Sequence, residues 1–129
     1  MESQTILLID DDEMISSMFA QYLARAGYKT VIAHNGPTGV EKYRAENPDL
    51  VVLDVAMPEV SGFEVAKQIR EVQQEENRAH TPLIILTAYA RSFFLSVSSD
   101  IGIDSFLNKP IAPDDLLEHI NQFLGNAPA

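Results

Sequence analysis

Three aspartates in a row, Asp10-Asp11-Asp12, close the apolar run Ile6-Leu7-Leu8-Ile9. Asp54 closes a second run, Leu50-Val51-Val52-Leu53, and Thr87 a third, Leu83-Ile84-Ile85-Leu86; Lys109-Pro110 follows Ser105-Phe106-Leu107. Carboxylates gathered at one place repel one another and raise some of their pKa values, so a fold that keeps such a cluster needs positive charge beside it. An oxygen-lined site with two or three carboxylates suits Mg²⁺, which takes few protein ligands and holds water and substrate phosphate in its shell. Lys109 supplies a second, compact positive charge able to pair with a phosphoryl oxygen, and the Thr87 hydroxyl a donor. A carboxylate nucleophile, a divalent metal, a lysine and a hydroxyl make a phosphoryl-transfer site that works by positioning and charge neutralisation. Each residue also has a plainer role: Asp11 or Asp12 as a helix cap, Asp54 in a turn, Thr87 at a strand end, Lys109 as a solvated charge. Capping needs one acid rather than three, and the plainer roles leave unexplained why all these positions map to one edge.

That edge follows from the elements. The three apolar runs are four residues each and do not alternate with polar residues, the pattern of strands buried on both faces of a parallel sheet. Thr30-Val31-Ile32-Ala33 and Ser105-Phe106-Leu107 are weaker strands. Between them the period is helical. Ile15, Met18, Phe19, Tyr22, Leu23 and Ala26 form one stripe, stopped by Gly27. Gly36-Pro37-Thr38-Gly39 reads as the start of a second helix running through Val40 and Tyr43 to Asn47-Pro48. Val65, Ala66, Ile69 and Val72 mark a third; Ala90, Phe93, Phe94, Val97 and Ile101 a fourth; Leu116, Leu117, Ile120, Phe123 and Leu124 a fifth. Pro113 and Asp114-Asp115 suit the N-terminus of the last. Five strands alternating with five helices give an α/β fold, a doubly wound five-stranded parallel sheet of flavodoxin-like (βα)5 type with strand order 2-1-3-4-5. Sites in such sheets lie at the carboxyl ends of the strands, beside the switch point between strands 1 and 3.

Composition narrows the function classes. With 129 residues, 46% of them apolar, one domain spanning 1–129 is expected, and a disordered chain is excluded. No apolar run approaches the roughly 18 residues of a membrane span, and Glu2-Ser3-Gln4 after Met1 is no secretory signal, so a cytoplasmic location is expected. The chain has no cysteine, which removes disulfides, thiolate metal sites and cysteine nucleophiles. A net charge of −10 argues against nucleic acid as a partner. His34, His80 and His119 show no metal-ligand spacing and read as solvated.

At these residues the sequence resembles the receiver domain of two-component response regulators (CheY-like) over essentially its whole length. The matching stretches are Ile6 to Asp12 (ILLIDDD), Asp49 to Gly62 (DLVVLDVAMPEVSG), Leu83 to Ala88 (LIILTA) and Ser105 to Pro110 (SFLNKP). The resemblance implies that Asp54 is the phosphoacceptor, and that Asp10, Asp11, Asp54 and the backbone carbonyl of Ala56 bind Mg²⁺ or Mn²⁺. It implies that Thr87 and Lys109 contact the phosphoryl group, that Phe106 is the aromatic switch, and that the Lys109-Pro110 bond is cis. It also implies partners: a sensor histidine kinase or histidine phosphotransfer protein as donor, and a downstream protein target. The surface of the fourth helix, fifth strand and fifth helix would switch and is a site for self-association. Such a protein is a signalling phosphoacceptor in a phosphorelay, assisting its own phosphotransfer and a slow aspartyl-phosphate hydrolysis, rather than an enzyme.

The sequence departs from the common pattern in a longer segment from Val72 to Pro82 and in a serine-rich fourth helix, where Leu95 lies off the stripe. Tyr89 and Ala56 flank the site at positions that tune dephosphorylation in the family. Two alternatives differ in class. A haloacid-dehalogenase-type aspartyl-phosphate phosphatase wants a second acid two residues after the nucleophile, where this chain has Ala56; a flavodoxin-like flavin carrier wants a phosphate loop after the first strand, where three aspartates would repel phosphate. The first strand begins within five residues of Met1 and the last helix ends within five of Ala129, so no effector domain is expected: either a stand-alone receiver or one excised from a longer chain.

Overall fold

The structure, a computed structural model, describes residues 3–54, 60–88 and 101–126. Each apolar run becomes a strand: β1 Thr5–Ile9, β3 Leu50–Asp54 and β4 Leu83–Thr87, with β2 Lys29–Ala33 and β5 Ser105–Asn108 at the flanks. All neighbouring pairs are parallel, in the order β2-β1-β3-β4-β5. The parallel arrangement sends every carboxyl end to the same edge, as the alternation of elements requires.

Side chains alternate between two cores. Ile6, Leu8, Leu50, Val52, Ile84 and Leu86 face one side, where they pack on Phe19, Leu23, Leu116 and Ile120. Leu7, Ile9, Val51, Leu53, Leu83 and Ile85 face the other, against Tyr43, Ala66, Ile69 and Val72. The first side is covered by α1 (Glu13–Arg25) and the C-terminal helix (Pro113–Leu124), the second by α2 (Gly36–Glu46) and α3 (Val60–Glu75). This is the doubly wound sheet, and it explains why the strand runs carry no polar face. Gly39 is required by close packing of α2 on β1, because a Cβ there would stand 2.6 Å from Ile9 Cδ1.

Caps fix where the helices begin and end. Asp12 is the cap of α1, its Oδ1 accepting from Ile15 N at 3.0 Å. Asn35 caps α2 through Thr38 N at 2.8 Å, and Asn47, left-handed at φ 46°, closes it. The C-terminal helix opens on Pro113 with Asp114 and Asp115 in its first turn, where the dipole favours them.

The face of α1 differs from the expected stripe. Phe19 and Leu23 are buried, but so is Ser16, while Met18 and Ala26 are exposed and Ile15 stands 37% open. The N-terminal half of α1 carries apolar residues at 14, 15, 18 and 19, so two overlapping stripes fit its period, and the small Ser16 lets the helix start approach the sheet closely. The fourth helical stripe, from Ala90 to Val97, together with Tyr89, Leu95 and Ala56, lies outside the described residues. Of the longer segment before β4, α3 takes residues up to Glu75, and Asn77 turns the chain at φ 52°.

Candidate functional site

Four strand ends deliver the expected residues to one place. Asp10 follows β1 and is 6% exposed, and its backbone N–H still reaches across to Ala33 O at 2.9 Å. Its Oδ1 accepts from Asp12 N at 2.9 Å, so one aspartate orients the turn while the other caps the helix. Asp54 ends β3 with its side chain 6% exposed, and Lys109 Nζ meets Asp54 Oδ1 at 2.5 Å. Thr87 ends β4 fully buried, and Lys109 N donates to Thr87 O at 2.9 Å, tying the lysine's backbone to that strand. The Lys109-Pro110 peptide bond is cis. Asp11 is exposed beside the buried pair. Phe106 sits half-buried on β5, packed with Ile101 and Ile103 against the α2–α3 side of the sheet.

Burial governs the electrostatics. Desolvation pushes the Asp10 carboxyl up from 3.8 to about 6; the Asp12 N–H opposes this, and the charges of Asp54 and Asp11 add to it. Desolvation also raises Asp54, offset by the hydrogen bond and charge of Lys109 and by a hydrogen bond from Asp10. One ammonium thus faces three carboxylates, two of them buried. Among the described residues no three carboxylate or imidazole groups stand close enough to hold a metal by themselves. The donor set nevertheless fits Mg²⁺, which takes one or two carboxylates from a protein and fills its octahedron with water and phosphate oxygens. The surplus negative charge gives such an ion a reason to bind.

Ser16 and His34 were not legible as neighbours of this site. Ser16, with Phe19 and Leu86, lines a small void beneath Asp10 and Asp54. His34, expected to be solvated, keeps one ring nitrogen 3.0 Å from the Asp10 carbonyl, which as an acceptor puts the proton on Nδ1. His80 likewise has a partner, Asp104 Oδ1 at 2.9 Å. Both contacts join residues from different elements, which spacing within one segment does not show.

The family-wide sequence pattern of the response regulator receiver domain matches residues 6–121. The chain belongs to that family. Among curated relatives, the receiver is 32% identical over 122 residues to the alkaline phosphatase synthesis transcriptional regulatory protein PhoP of Bacillus subtilis, covering 95% of this chain and 49% of PhoP. It therefore spans about half of that regulator's length. It is 29% identical to the polar-differentiation response regulator DivK of Brucella ovis, covering 97% of this chain and 99% of DivK. Among solved structures, the CheY-like receiver domain protein from Methanospirillum hungatei superposes with a TM-score of 0.80 at 29% identity, over 96% of this chain and 95% of that one. The receiver domain of sensor histidine kinase PA1611 from Pseudomonas aeruginosa, described with magnesium coordinated in its active site cleft, shares the fold. Its TM-score is 0.79 at 22% identity, over 97% of this chain and all of that one (100%). The phosphatase and flavin-carrier alternatives are not favoured: the receiver is a two-component signalling domain.

Proposed function

We propose that this receiver accepts a phosphoryl group from a partner phosphohistidine onto Asp54. The observation that carries the reading is the buried Asp54 carboxylate at the end of β3, held by Lys109 and bordered by Asp10 and Thr87. In the transfer an Asp54 oxygen attacks phosphorus in line, the O–P bond forms as the N–P bond breaks, and the imidazole nitrogen leaves with the bonding pair and takes up a proton. Lys109 neutralises charge on the acceptor and then on a phosphoryl oxygen, and the Thr87 hydroxyl, at the end of the neighbouring strand, donates to another. Asp10, Asp11 and Asp54, with the carbonyl of Ala56, would hold Mg²⁺ or Mn²⁺. Bound there, the ion supplies Lewis-acid charge for the transferring group.

The donor, a sensor histidine kinase or phosphotransfer protein, must reach over the Asp10–Asp12 rim. Met14, Ile15 and Met18, respectively 81%, 37% and 47% exposed on the first turns of α1, give it an apolar footing next to the nucleophile. Engagement of Thr87 by the phosphoryl group would draw Phe106 inward and remodel the output face around β5 and the C-terminal helix. That face would serve a downstream protein target or a second copy of the chain. The product is a signal in the cytoplasm, ended by slow hydrolysis of the aspartyl phosphate.

Acetyl phosphate with Mg²⁺ tests the acceptor. Intact mass should show one added phosphoryl group on the parent and none on Asp54→Asn, since an amide is a far poorer nucleophile. Equal labelling of the two would move the acceptor elsewhere.

A further inference from the structure

Lys109 acts only if β5 is in register, yet β5 is a four-residue edge strand with no fully buried residue. Phe106 and Leu107 are only partly buried, on opposite faces of the sheet, so packing holds the register of this strand less firmly than that of its neighbours, and a slip of one residue turns every side chain to the opposite face. Backbone contacts at the ends of the strand add to that packing.

Besides Lys109 N–H on Thr87 O at the site end, a second set of contacts fixes β5 at its opposite end. Asp104, just before the strand, closes on both backbone groups of Leu83, the first residue of β4: its N–H donates to Leu83 O at 3.0 Å, and its Oδ2 accepts from Leu83 N at 2.8 Å. The same carboxylate accepts from His80 Nε2 and, at 3.1 Å, from Arg70 Nη2. Arg70, buried on α3, spends all five of its N–H groups here. Nε donates to Ile101 O at 3.1 Å, Nη1 to Gln73 Oε1 and Thr81 O at 2.7 and 2.8 Å, and Nη2 to Gly102 O at 2.6 Å besides Asp104. Gly102 at φ 71° adopts the left-handed turn in which its carbonyl faces the guanidinium. One side chain of α3 thus ties together the segments that enter β4 and β5.

We propose that Asp104, held by Arg70, is a positioning residue for phosphotransfer: it pins β5 to β4 in the register that sets Lys109 against Asp54. This rests on the reading of Asp54 and Lys109 given above. The action is indirect, since Asp104 and Lys109 flank opposite ends of the strand and communicate through its ladder, Ile84 with Ser105 to Thr87 with Asn108. Small misplacements of a charge at a reacting centre are costly. Asp10, just after β1, and Asp54, at the end of β3, make none of these contacts.

A double-mutant cycle separates this role from general loosening. Initial rates of labelling by acetyl phosphate and Mg²⁺ are read by intact mass for the parent, Asp104→Ala, Lys109→Ala and the double variant. Asp104→Ala should slow labelling about tenfold in the parent and produce no further loss once Lys109 is gone, with Mg²⁺ binding unchanged. Asp104→Asn, which keeps an oxygen for Leu83 N–H, should recover part of the rate and carries the same cycle if the alanine variant does not fold. Equal slowing in both backgrounds, no slowing in the parent, or weakened Mg²⁺ binding overturns the proposal. Undiminished labelling of Asp54→Asn in the same assay would instead overturn the underlying reading of the site.

Discussion

At the scale of single residues, the site is a balance of burial against charge, and Asp10 shows it best. Its carboxyl is raised to about 6, so between the ordinary value of 3.8 and that value the folded protein keeps a proton that the unfolded chain has released. Folded stability contributed by this group is therefore present below about pH 4 and is lost as pH rises toward about 6. In chelator, Asp10→Asn should be more stable than the parent at pH 7 by about 1–3 kcal/mol. The gap, measured by urea melts, should open between pH 4 and 6 and stay flat above. The asparagine still accepts from Asp12 N, so a gap of constant size would mean that Asp10 carries no buried charge. A site that is costly without a counter-ion is one prepared to receive it.

Among elements, α1 does two jobs with one short sequence. Phe19 and Leu23 anchor it to the sheet, while its first turns leave Met14 and Met18 in solvent next to Asp11 and Asp12. If these methionines seat the phosphohistidine donor, Met14→Ser with Met18→Ser should slow transfer from a phosphorylated histidine phosphotransfer protein at least about tenfold. Labelling by acetyl phosphate should not change, because the small donor touches no helix face. Stability should move by less than about 0.5 kcal/mol, as for other exposed positions. Equal slowing with both donors would assign the residues to the chemistry rather than to docking. The C-terminal helix is fastened differently, by Tyr28 Oη on buried Asn121 and by Asn126 Nδ2 on the same hydroxyl at 2.8 Å. That lock keeps the side of the sheet shared with α1 covered.

For the whole molecule, a net charge of −10 means self-repulsion throughout, concentrated where Asp10, Asp11 and Asp54 meet. Mg²⁺ that binds the native cluster and not the unfolded chain should stabilise by about 1–3 kcal/mol at millimolar metal. The melting temperature should rise with Mg²⁺ beyond the rise given by sodium chloride of equal ionic strength, and the excess should shrink in Asp11→Asn. An excess untouched by that substitution would place the metal elsewhere. Among the described residues no helix is long and apolar enough to cross a membrane.

What the sequence determined by itself was the sheet and its edge. Four successive apolar residues at 6–9, 50–53 and 83–86 read as strands covered on both faces, and alternation with helices makes them parallel. Parallel strands place Asp10, Asp54, Thr87 and Lys109 at one end whatever the packing details, so the candidate site was legible before any contact was known. The tertiary structure alone decided the rotation of α1, where two apolar stripes fit the period and only docking on the sheet chose Ser16 over Ile15. It alone showed Arg70 and Asp104, whose partners, Gln73 apart, stand eleven to thirty-four residues away. A charged residue inside a helical stripe carries no local mark of burial. Its fate depends on carbonyls delivered by other segments, and those exist only once the chain has folded.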